Sequence, residues 1–164
     1  MPLLHPLKNL NLFLMDNTFY SIIRHLHSLL RWFLIGMLLA SLVISLIHLL
    51  RKKGLNPQGL QVARLAFITA HLQLLAGLVL YFISPKVVFS AASMQSPILR
   101  FYLVEHLLLM VIAIVLITTG YIRMKKRIHT DFAARPVFWY YLVALILLLF
   151  AIPWPFTTYG GAWF

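Results

Sequence analysis

The stretch 32-WFLIGMLLASLVISLIHLL-50 runs for nineteen residues without an Asp, Glu, Lys or Arg, and Arg31 and Arg51 close it at either end. At about 1.5 Å rise per residue, nineteen helical residues reach about 29 Å, and the hydrocarbon core of a bilayer is about 30 Å thick. The segment reads as a transmembrane helix. Three more apolar runs follow. Leu65–Pro85 lies between Arg64 and Lys86. Phe101–Ile122 lies between Arg100 and Arg123 and contains one charge, Glu105. Pro136–Phe164 follows Arg135, with its apolar part at Val137–Ile152. The fold class is therefore all-α: an integral membrane bundle of four helices at about 20–50, 64–84, 98–123 and 136–153. Short connections give it up-down-up-down topology.

Composition supports this class. Of 164 residues, 62% are hydrophobic and 10% are charged, against about 25% charged in soluble domains. The net charge of +11 does not indicate nucleic acid. The basic residues bracket apolar runs, as topogenic charges do. The chain's partner by composition is the lipid bilayer.

The loops set an expected orientation. Loop one carries Arg51, Lys52, Lys53 and Arg64, and loop three carries Arg123, Lys125, Lys126, Arg127 and Arg135. Loop two has only Lys86 and Arg100, and no charge follows Arg135. The positive-inside rule places loops one and three in the cytoplasm and both termini on the periplasmic or exterior side of a bacterial inner membrane. Residues 1–19 read as an interfacial extension, with Asp16, Asn17 or Thr18 capping a helix that enters at Phe19. Pro57 reads as a break in loop one, Pro97 as the first turn of helix three and Pro136 as the start of helix four. Residues 157–164 form a tail beyond the four-helix domain, 20–156.

Within the first helix, His27, Arg31, Leu34, Leu38, Ser41, Ser45 and His48 step by four and three, which is one seam of a helix. In lipid such a polar seam turns toward protein. His71 on helix two and His106 on helix three are also at membrane depth. Gly77 permits close approach by a flat group or another helix. Ionisable residues at that depth point to function, and neutral imidazole is the commonest haem ligand among side chains. Cysteine is absent, so a haem would be held without thioether bonds. The ligand pair is left open between His71–His106 and His27–His106. Arg31 offers a bidentate cation for a haem propionate or a quinone carbonyl. Glu105 is a candidate to orient a ligand imidazole, relay a proton or bind a metal directly. Helix four, without an ionisable residue between Pro136 and Ile152, reads as a packing wall.

The segments 27-HSLLRW-32, 71-HLQLLAGLVLYFISP-85, 100-RFYLVEHLLLM-110 and 152-IPWPF-156 together resemble a family of small four-helix membrane proteins of Bacteroidetes-type bacteria, usually labelled cytochrome b-like. The resemblance covers roughly Tyr20 to Phe156. It implies that His27, Arg31, His71, Glu105 and His106 are the functional positions. The fourth helix has no histidine, unlike many four-helix di-haem cytochromes, so one haem is expected rather than two. The expected function is that of a small b-type cytochrome with non-covalent haem b, transferring electrons, with quinone as a partner. The alternative is a non-catalytic subunit or assembly factor of a membrane redox complex, or a homo-oligomer, in which a copper or other metal site could involve Glu105 and Met110.

Overall fold

In the computed structural model the backbone is described for residues 4–160 and the side chains for residues 17–160. Four helices, each long and apolar enough to cross a membrane, build the fold: α1 (Leu4–Leu50), α2 (Pro57–Ile83), α3 (Pro97–Lys125) and α4 (Ala134–Ala151). Among the described residues there is no strand. α1 packs on α2 and α4, and α3 packs on α2 and α4. α1 and α3 are therefore diagonal partners, and they run parallel.

Two helix starts differ from the sequence reading by more than a turn. α1 is helical from Leu4 with no break at Asp16–Thr18. No Pro or Gly stands between Pro6 and Gly36, so nothing in the chain stops the helix there. The side chains of the interfacial extension up to residue 16 lie outside the described residues. α2 starts seven residues before Arg64. Asn56 caps it, its side chain accepting from Gly59 N at 2.8 Å, and Pro57 occupies the first turn. Pro57 opens this helix and does not break a loop, because its missing N–H belongs to a group that has no intrahelical partner anyway. At the other end of α2, Ser84 and Pro85 stop it. Ser96 and Pro97 open α3 in the expected way, and α4 begins two residues ahead of Pro136.

Small residues let the helices approach closely. Ala63, Ala66 and Ala70 form a fully buried stripe on α2, and Ala113, Gly120, Ala144 and Ala151 serve α3 and α4. The polar seam of α1 turns inward as expected: Arg31, Leu34, Leu38, Ser41 and Ser45 are buried. Leu29, Phe33, Val43, Phe82, Val115 and Phe150 lie on the outside.

Tyr141 is completely buried and donates its hydroxyl to the Ala63 carbonyl at 2.9 Å, tying α4 to α2. Tyr141→Phe leaves that carbonyl without its side-chain donor. The expected cost is about 1 kcal/mol, measured as lower resistance to thermal unfolding in detergent at unchanged helicity.

Candidate functional site

A cavity opens between the four helices at the end of the bundle that carries loop two. Its volume is about 170 Å³, and its wall includes His27, Arg31, Gln73, Gly77, His106, Met110 and Leu148. Tyr20, Arg24, Lys86 and Tyr102 stand at its mouth side. The tail folds over this end: Tyr159 stacks on Phe101 with ring centres 3.9 Å apart, and its carbonyl accepts from the Tyr102 hydroxyl at 2.9 Å.

His106 is held by the way α4 ends. The carbonyl of residue i in a helix accepts from the N–H of residue i+4. Pro153 and Pro155 have no N–H, so the carbonyls of Leu149 and Ala151 lose their intrahelical donors. Side chains replace them. Trp154 Nε1 donates to Leu149 O at 2.9 Å, and His106 Nδ1 donates to Ala151 O at 2.7 Å. The bond to Ala151 fixes the tautomer of His106 and leaves Nε2 with its lone pair. A backbone carbonyl behind an imidazole is the usual support of a metal-binding histidine.

His27 stands in a different state. Its Nε2 is 3.2 Å from the Gln73 side-chain nitrogen. With the amide as donor, Nε2 is the acceptor and the ring proton sits on Nδ1. Nδ1 of His27 and Oε1 of Gln73 are both closed off from solvent, and neither has a hydrogen-bond partner. Such groups typically cost about 1–3 kcal/mol each. Gly77 forms the seat of the ring: a Cβ placed there would stand 3.1 Å from His27 Cε1. Arg31, one turn further along α1, is 9% exposed, and its guanidinium carbon is 5.4 Å from the Trp32 ring centre.

His71 is elsewhere. Its Nδ1 donates to Phe67 O of its own helix at 2.8 Å, and its Nε2 is 3.5 Å from Thr118 Oγ1. Thr118 is twelve residues along α3 from His106, or about 18 Å. The bundle therefore brings His27 and His106 to one cavity and separates His71 from both. Helix face and height are the cause: His71 is two residues, or about 200°, around α2 from Gln73 and six residues, or about 9 Å, before Gly77, the two residues that flank His27. The lean of side chains toward the N-terminus of their own helix widens the gap further, because α2 runs against α1 and α3.

Glu105 does not support His106. It closes a π turn, Phe101–Glu105, and accepts from Arg100 Nε at 2.7 Å in a half-exposed ion pair. The wider turn brings residues five apart face to face. The Ala151 carbonyl takes the supporting role expected of Glu105. Among the described residues, no group of three or more His, Cys, Asp or Glu is assembled for a metal ion. Gln73 was missed by the sequence reading, although a lone amide four residues before Gly77 on an apolar helix is a signal.

The donor set suits a haem: two imidazoles without cysteine, one of them anchored through Nδ1, and cations at Arg24, Arg31 and Lys86 for propionates. The free volume is smaller than a porphyrin and is of the order of a cavity that takes one aromatic ring. Seating haem requires long unbranched side chains of the wall, Met110 and Arg31 among them, to fold back.

No family model, curated protein or solved structure matches this chain.

Proposed function

We propose that the protein is a small b-type cytochrome of the bacterial inner membrane, related to the cytochrome b-like four-helix proteins its sequence resembles, and that the cavity holds one non-covalent haem b. The observation that supports this most is the pairing of His27 and His106, from parallel helices, in one cavity with the buried Arg31. His106 is the anchored ligand, His27 the second, and Arg31 neutralises a propionate. The haem supplies one-electron redox chemistry. The chain's residues hold it, exclude water and set its charge environment. The basic loops one and three face the cytoplasm, so the cavity mouth and both termini face outward.

The test is an absorbance spectrum of the protein purified from haem-replete cells. A Soret band, with an α-band on reduction, is expected. A colourless preparation rules the reading out.

The cavity volume favours a second reading. A space of about 170 Å³ accommodates a single ring, and a quinone head group would find donors at Arg31 and Gln73 for its carbonyls. Saturable binding of a short-chain quinone by colourless protein would favour this reading over the first.

A further inference from the structure

The end of the bundle formed by loops one and three carries Arg51, Lys52, Lys53, Lys125, Lys126 and Arg127, all exposed, with one acid, Asp131. Topogenic charge requires only that such basic residues be present. The structure adds two constraints that a count of charges does not need.

The first is a lysine in a glycine position. α1 closes with Lys53 N donating to His48 O at 3.0 Å and Lys52 N donating to Leu49 O at 3.2 Å. These two bonds make a Schellman cap, in which the residue at the place of Lys52 is left-handed and usually Gly. Lys52 adopts that conformation at φ 52°, the only non-glycine with positive φ among the described residues. A side chain is disfavoured there, so the helix end accepts strain and holds a charge in a set place. Gly54, two residues on, has a different role: a Cβ there would stand 2.9 Å from Thr130 O.

The second constraint is a lock between the loops. Gly54 N donates to Asp131 Oδ1 at 3.2 Å, and the Gly54 backbone lies against Thr130. Thr130 N in turn closes a turn on Arg127 O at 2.9 Å. Lys52 and Lys53 are thereby set beside the turn that starts at Arg127. Asp131 is engaged by a backbone N–H and not by a cation. Among the described residues the one ion pair, Arg100–Glu105, stands at the opposite end of the bundle, so no side chain neutralises this patch.

Apolar side chains border it. Leu50 immediately precedes Arg51 and is 76% exposed, and Phe132 follows Asp131 and is 51% exposed. Cations beside exposed apolar groups, at the ends of helices long enough to cross a membrane, fit an anionic amphiphile. Its phosphate meets the ammonium and guanidinium groups, and its acyl chains cover the apolar border. A soluble acidic protein or a free anion would leave that border bare.

We propose that the locked loops form a binding site for the phosphate headgroup of an anionic lipid, with Lys52 and Lys53 of loop one and Arg127 of loop three as its donors. The site is independent of what the cavity at the other end holds.

The test titrates full-length protein in a neutral detergent with phosphatidylglycerol, against phosphatidylcholine as the zwitterionic reference, and counts retained lipid by native mass spectrometry. The parent should retain phosphatidylglycerol in preference. Lys52→Gly relieves the left-handed strain, so it should be at least as resistant to heat in detergent alone, yet bind phosphatidylglycerol about fivefold more weakly. Asp131→Ala opens the lock while removing a negative charge. Attraction by charge alone would strengthen binding in this variant, whereas a site built by the lock weakens several-fold. Asp131→Asn keeps an oxygen for Gly54 N and should bind at least as tightly as the parent. The proposal is overturned by a parent that does not distinguish the two lipids, by unchanged binding in Lys52→Gly, or by Asp131→Ala binding as tightly as Asp131→Asn. Thermal stabilisation by inorganic phosphate equal to that by phosphatidylglycerol would assign the patch to a free anion and overturn the lipid site as well.

Discussion

His106→Ala is expected to give protein that binds no haem, whereas His71→Ala keeps its full spectrum. The contrast follows from where the bundle places the two rings. His106 lines the cavity and is pinned by the Ala151 carbonyl at 2.7 Å. Removing it takes away both the ligand atom and its support. Loss of the support alone typically costs 10–100-fold in metal affinity, and loss of the ligand costs more. His71 engages Phe67 O and approaches Thr118, about 18 Å along α3 from His106. Its removal deletes an interhelical contact worth about 1 kcal/mol and leaves the cavity intact. The measurement is haem per polypeptide, from the pyridine haemochrome of each purified variant. A coloured His106→Ala beside a colourless His71→Ala would invert the assignment of the ligands.

The four spans were legible because hydropathy and charge alone decide them. Arg51 follows the end of α1 in the fold as in the sequence, whereas Arg31 stands inside the helix and is buried. The inward seam of α1 was legible for a similar reason. A helical period is a property of one segment, and lipid forces its polar side toward protein. The start of α2 was misjudged because Arg64 was taken as a membrane boundary. Asn56-Pro57, a cap followed by a first-turn proline, was the better signal, and an arginine stem inside a long helix can carry its charge out to a polar region.

Pairing between helices was harder to see. Whether His71 or His27 meets His106 depends on which face of α2 turns toward the cavity and on the relative height of the helices, and neither is a property of one segment. The support of His106 was invisible for another reason. It is a backbone carbonyl, and only the spacing of Pro153 and Pro155 reveals that it needs a donor. Glu105, next to His106 in sequence, was the natural candidate until a π turn carried it to Arg100.

Gly77→Val is expected to disturb the site more than any other single change outside the histidines. A Cβ at Gly77 already meets His27 Cε1 at 3.1 Å and Nδ1 at 3.6 Å. Valine adds two methyl groups with a stiff χ1, so the clash has little rotamer freedom to relieve it. The imidazole is the mobile partner, and it must tilt away from α2 into the cavity. That movement stretches the 3.2 Å contact with Gln73 and fills part of the 170 Å³ that a ligand needs. Overpacking of this kind costs about 1–3 kcal/mol. Gly36 on α1 provides the control. Nothing stands within 4 Å of a Cβ placed there, so Gly36→Val adds surface toward the outside and leaves the site unchanged. Side by side in detergent, Gly77→Val should unfold at lower temperature and lose haem or change its spin state, while Gly36→Val should match the parent in both. Equal behaviour of the two variants would mean that His27 does not sit against Gly77 in the membrane protein, and the geometry assigned to the second imidazole would have to be abandoned.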